Sequence, residues 1–207
     1  MTEGEEPEQE RGRTRWTRFA ATLAVGGVGA GVLLVGLSQG ALAASFTVSG
    51  SSFKVSADHL QGDGFVQFGS LAASTDAPHP VARNGFRRAT LDNFCQSVFL
   101  PKLPIVGDLT MRITAAGPGG MQASDLVVDV AQVDGDFTLT NPQIGVDASQ
   151  VSGGPAGVVG RPGDFGMQAD KVSIDKVRQT AWGTSAQTIA FKGMSLRIVS
   201  GQQECGG

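Results

Sequence analysis

From residue 44 onward, the feature that most limits the fold is a side chain that changes face at every step. In "LTMRIT" (109–114) Leu109, Met111 and Ile113 fall on one side, and Thr110, Arg112 and Thr114 on the other. "MSLRIV" (194–199) repeats the pattern with Met194, Leu196 and Ile198, and "FTV" (46–48), "FVQF" (65–68) and "DFTLT" (136–140) are shorter examples. A period of two between Gly, Asn and Asp breaks is the mark of half-buried strands, and no amphipathic helical pattern follows residue 44. "ATLDNFCQSVFL" (89–100) is the least regular stretch. "LPKLP" (100–104) predicts a break, because proline has no N–H to give to a ladder. "SGGPAGVVGRPGD" (152–164) reads as a long loop. The expected fold is one all-β domain over 44–207, of roughly eight to eleven strands at usual strand lengths. A two-sheet sandwich is the default. The second choice is an elongated, open-edged β-roll that could cradle an acyl chain.

Three phrases echo one another: "FKVSADHLQGD" (53–63), "GMQASDLVVD" (120–129) and "FGMQADKVSID" (165–175). Phe53 aligns with Phe165, Ala57 with Ala169, Asp58 with Asp170 and Asp63 with Asp175. The echo predicts a repeated strand–turn–strand unit in which the acidic residue accepts hydrogen bonds from backbone N–H groups of the turn. Uneven spacing excludes a regular solenoid. Shared strand-and-turn composition is the alternative source of the echo.

The N-terminus has the grammar of export. Residues 1–18 hold an acidic run and then the basic run "RGRTRWTR"; residues 19–37, "FAATLAVGGVGAGVLLVGL", carry no charge. A basic flank, an apolar stretch and the small-residue site "ALA" (41–43) predict a secretory signal cut between Ala43 and Ala44. The rival is an uncleaved anchor, since about 20 apolar residues suffice to span a bilayer. The Arg-rich side would then stay cytoplasmic and send 44–207 outside. This divides the chain into a charged cytoplasmic region (1–18), a signal peptide or transmembrane helix (19–43) and an extracytoplasmic domain (44–207).

Composition excludes much chemistry. A formal net charge of −3 offers no clustered basic face for nucleic acid. Cys95 and Cys205 are the only cysteines, and in an oxidising compartment a lone pair predicts one disulfide, with two free thiols as the alternative. Closing so long a loop is worth roughly 4–5 kcal/mol in the chain-entropy model. Two cysteines and two distant histidines lack metal-ligand spacing. "GLSQG" (36–40) fits the nucleophile elbow G-x-S-x-G, but Ser38 lies at the exit of the apolar stretch and upstream of the expected cut. His59 and His79 read as surface residues, and adjacent Asp58 points away from His59 if the segment is extended. Asp129, Asp134 and Asp136 lack the calcium-loop spacing and read as an Asp-Gly turn. No cofactor fingerprint appears, and no catalytic or metal residue is assigned.

"ALAASFTVSG", "NFCQSV…LP", "PQIGVDAS" and "FGMQADKVSIDKVRQTAW", after the Arg-rich start, together resemble an uncharacterised family of exported actinobacterial proteins. The resemblance covers essentially the whole chain. Some members carry the label "cholesterol esterase", and the family is usually regarded as of unknown function. The resemblance implies a membrane-linked β-rich protein and lends no catalytic residue. The expected function is a non-enzymatic, secreted or membrane-tethered envelope protein that binds a lipid or a membrane or protein partner. Met111, Ile113, Met194, Leu196 and Ile198 would line its apolar groove, or else form plain core. The alternatives are a lipid-ester hydrolase and a structural module that pairs through a sheet edge.

Overall fold

The computed structural model describes residues 50–74 and 77–206. The charged region, the apolar stretch, Ser38 and the Ala43–Ala44 site lie outside them. Among the described residues there is no helix long and apolar enough to cross a membrane.

Nine strands follow in order: β1 (Phe53–Ala72), β2 (His79–Asp92), β3 (Phe94–Leu103), β4 (Gly107–Ala115), β5 (Met121–Thr140), β6 (Gln143–Asp147), β7 (Phe165–Ser185), β8 (Thr188–Phe191) and β9 (Ser195–Ser200). The all-β expectation holds. The two-sheet sandwich does not: all nine strands belong to one sheet. Strands of 20, 20 and 21 residues (β1, β5, β7) replace the short strands a sandwich would use.

Pairing explains why one sheet suffices to enclose a core. β1 pairs with β2, β2 with β5, β5 with β7, and β7 with β1, all antiparallel, so these four strands close a ring. Its inside holds the main cluster of buried side chains, with Leu60, Phe65, Phe86, Leu126, Val172 and Ile174 among them. β3, β4 and β9 continue the sheet beyond the ring as a three-stranded blade, joined to β1 at Lys54↔Ser97 and Ser56↔Cys95. The loop 152–164 stays a loop and lies outside the ring against Val66, where a Cβ on Gly154 would collide with the valine methyl.

The echoed phrases are corners, not turns between strands. β1 runs unbroken through Ala57–Leu60, β5 through Ala123–Leu126 and β7 through Ala169–Val172. In each, two buried apolar residues flank two exposed or half-buried ones: Asp58 and His59, Ser124 and Asp125, Asp170 and Lys171. Two outward residues in succession break the alternation and bend the strand, as a bulge does. Each of the corners on β1 and β7 meets a matching step on the other strand: Ala57–Leu60 lies opposite Ile174–Val177, whose Asp175 and Lys176 are exposed between buried neighbours, and Ala169–Val172 lies opposite Gly62–Phe65. Asp125 and Lys176 take left-handed φ values of 47° and 55° there, and Gly64 takes 66°. In place of the backbone N–H groups expected, the acidic side chains find side-chain partners on neighbouring segments. Asp58 accepts from Asn93 Nδ2 and Asp170 from Asn141 Nδ2, both at 2.7 Å.

The irregular stretch 89–100 contains a corner of the same kind. Leu91 and Phe94 are buried, and Asn93 between them has φ 51°. The break expected at "LPKLP" is a register shift between Leu100 and Leu103, with β3 carrying on to Leu103.

Candidate functional site

Register decides which residues share a face, because directly paired side chains point the same way. Val55, in the ring core, faces Gln96 on β3; Gln96 faces Ile113 on β4; Ile113 faces Leu196 on β9. One step along, Val98 faces Met111, which faces Ile198. The inner face of the ring therefore continues onto one face of the blade. There it stops being covered: Leu196 is 52% exposed and Ile198 64%. Of the five residues expected in a groove, the structure brings Met111, Ile113, Leu196 and Ile198 onto this face. Met194 precedes β9 and is exposed. Val98, Leu100 and Leu109 belong to the same face, and sequence reasoning missed the two on β3 because the flanking prolines obscured their alternation.

Inside the ring the face leads to a cavity of about 70 Å³. Leu60, Phe86, Phe94 and Phe191 line it, with Gln96 at the blade side. Gln67 and Asn84 also reach it and satisfy each other through a 2.7 Å hydrogen bond. This volume is well below the roughly 300–1,000 Å³ of a pocket that encloses a ligand. An elongated apolar molecule would lie mainly in the open trough.

The opposite face of the blade is polar, and it is the covered one. The segment after β9 folds back across it. Thr110 Oγ1 donates to the Gly201 carbonyl at 2.6 Å and accepts from the Gln203 N–H at 3.0 Å. The Cys205 N–H donates to Ser97 Oγ at 2.9 Å, and Lys54 Nζ meets Glu204 Oε2 at 2.9 Å. The expected Cys95–Cys205 disulfide completes the clasp, with Cα atoms 5.8 Å apart. Glu204's carboxyl is held below the usual glutamate range. Burial, the largest single influence, raises it, and hydrogen bonds from Gln202 and Lys54 with the Lys54 charge outweigh that.

Among the described residues, the titratable groups form no catalytic constellation. His59 lies beside Asp58 on the outer side of a corner, so the two do not point apart as an extended segment would require; its Nδ1 is 2.7 Å from Asp175 Oδ1 instead. His79 stacks on Trp182 with ring centroids 3.6 Å apart, and its Nε2 is 3.2 Å from Ser74 Oγ. No hydrogen bond between a carboxylate and His79 is present among the described residues. The three aspartates of 129–137 do not converge, and they sit within β5 rather than in a turn. Asp129 is buried against Arg83 in a bidentate pair of 2.7 and 2.8 Å; Asp134 accepts from Gln132, and Asp136 from Lys176. No group of three His, Cys, Asp or Glu side chains among the described residues could hold a metal ion.

A family model described as a family of unknown function matches residues 49–206. No curated protein and no solved structure matches the chain.

Proposed function

We propose a function on the premise that this chain belongs to that family of unknown function, DUF6230, whose model spans the described fold. The chain is a non-enzymatic envelope protein, secreted or tethered to the membrane by the apolar stretch 19–37, that holds the acyl portion of a lipid. One observation carries this reading. The apolar core of the ring runs in register onto the blade face of half-buried Met111 and Ile113 and opens at Leu196 and Ile198, while the polar face behind it is clasped. Packing a tail segment over the polar side leaves the hydrophobic side in need of a ligand, since apolar surface gains roughly 25 cal/mol per Å² when removed from water.

The test is the native and then the denatured mass of the protein recovered from its own host. A native mass that exceeds the denatured one, with a lipid released on unfolding, is the expected result. Equal masses would remove the carrier and favour a module that pairs through a sheet edge, such as β9. Among the described residues, the Ser74–His79 contact is what favours the hydrolase reading of the "cholesterol esterase" label. Ester turnover abolished by Ser74→Ala would establish it.

A further inference from the structure

The turn that joins β3 to β4 departs from the rules the rest of the fold obeys. Ile105 is 106% exposed relative to a free reference, and Val106 beside it is 59% exposed. Ile105 also has φ +74°, and Lys102, three residues earlier, has φ +54°. A β-branched residue in the left-handed region is a rare outlier, for its Cβ crowds the backbone there. Glycine or asparagine would serve this turn better; at the other left-handed positions among the described residues the fold uses Gly, Asn, Asp125, Lys102 and Lys176, none of them β-branched. An isoleucine that is strained and packs against nothing gives folding no benefit. Strain of this kind is retained where a site outside the fold's own packing uses the residue.

We infer that the tip Ile105–Val106 is a wedge that enters an anionic lipid surface and brings the open blade face to the bilayer. The inference rests on the lipid-binding reading above and deepens it, because it names where the lipid is met. Three observations select a lipid surface over a protein. Two apolar side chains at a hairpin tip fall far short of the roughly 1,000 Å² that a specific protein interface buries. They do suit shallow insertion between headgroups, with the adjacent Lys102 ammonium kept at the interface.

Charge points the same way. The chain as a whole carries −3, but residues 94–115 and 195–200 hold three cations (Lys102, Arg112, Arg197) against one anion (Asp108), a local balance of +2. Asp108 is engaged with the Lys102 backbone N–H at 2.8 Å. Of the three cations Lys102 and Arg197 are exposed, and exposed basic groups are drawn to an anionic membrane surface.

The third observation is where the chain enters the fold. β1 is antiparallel to β3, with Ser56 opposite Cys95 and Lys54 opposite Ser97. Followed back toward its start, β1 therefore runs toward the tip end of the blade. The uncharged stretch 19–37 lies upstream of that end, and Leu37 comes sixteen positions before Phe53. Whatever precedes Phe53 therefore joins the fold at the tip end of the blade.

The experiment uses the full chain with Val106→Trp in phosphatidylcholine–phosphatidylglycerol vesicles, the unsubstituted chain supplying the background of Trp16 and Trp182. The expected result is that the added fluorescence is quenched by lipids brominated in their acyl chains and shielded from aqueous iodide. Ile105→Asn combined with the tryptophan should weaken that quenching several-fold, and should melt at or above the temperature of the parent because asparagine tolerates the turn. Added fluorescence quenched by iodide and not by brominated lipid overturns the wedge. So does Ile105→Asn that lowers the melting temperature and leaves the quenching intact, since the isoleucine would then serve the fold. A chain that releases lipid in the mass experiment yet shows no quenching at the tip loses the wedge and keeps the carrier. Quenching at the tip with no lipid released does the reverse.

Discussion

Among single residues, the buried pair Arg83–Asp129 has the most at stake. Asp129 is 3% exposed, and its two oxygens take two donors from one guanidinium. The Asp129 hydrogen bond is the main cause that raises the Arg83 pKa, against the cost of burial. Removing one partner of such a pair leaves an uncompensated charge, which costs about 3–5 kcal/mol. Asp129→Ala should accordingly lose several kcal/mol of stability in urea unfolding. Arg88→Ala, whose partner Asp63 stands 3.7 Å away with 78% of the arginine side chain exposed, should change it by under about 1 kcal/mol. Neither pairing was legible in the sequence. Asp129 sits in a string with Asp134 and Asp136, and only the register Arg83↔Asp129 separates it from them.

Strands, by contrast, were legible wherever alternation was clean, as in β4 and β9. The corners were visible too, as the Ala-Asp phrases, but were read as breaks, because an in–out–out–in pattern looks like an interruption when no partner strand is in view. What shows them to be continuous is alignment: a corner on β1 meets a corner on β7, so the two strands bend together. The Cys95–Cys205 link was legible from composition alone, but not its company of Ser97, Thr110 and Lys54. That company makes the clasp sensitive to acid. Glu204's folded pKa lies below the usual glutamate value, so its ion pair with Lys54 contributes fully at pH above about 4.5 and is lost as pH falls through the lowered value. The Lys54 ammonium is 45% exposed, so solvent screening keeps the contribution under about 1 kcal/mol. A carbon-detected titration should place the Glu204 midpoint below the usual range, and Lys54→Met should move it upward. A midpoint unmoved by that change would mean Lys54 has no part in it.

For the whole molecule, the division between closed ring and open blade separates folding from binding. Phe94 is 4% exposed at the junction, and Phe94→Ala should cost about 3–5 kcal/mol. Ile198, on the same inner face but 64% exposed, should tolerate aspartate with a change of about 0.5 kcal/mol or less. Ile198→Asp should nevertheless reduce the lipid released in the mass experiment. If lipid is retained in full, the trough is not where it lies. A fold whose core and ligand face are one continuous surface gives a sequence reader a single hydrophobic pattern for both, which is why groove and plain core could not be told apart there.

The ring also sets a schedule. Its closing seam joins β1 to β7, with Phe53 opposite Ala181, 128 positions apart, and Phe68 opposite Gly166, 98 positions apart. Contacts so distant in sequence form late and slowly. A chain delivered in order from its N-terminus presents β1 first, with one whole edge bare until β7 arrives. During that interval any other extended chain can occupy the seam, a second newly made copy included. The time between the emergence of β1 and the arrival of β7 is then the period in which this molecule most needs protection from its own kind.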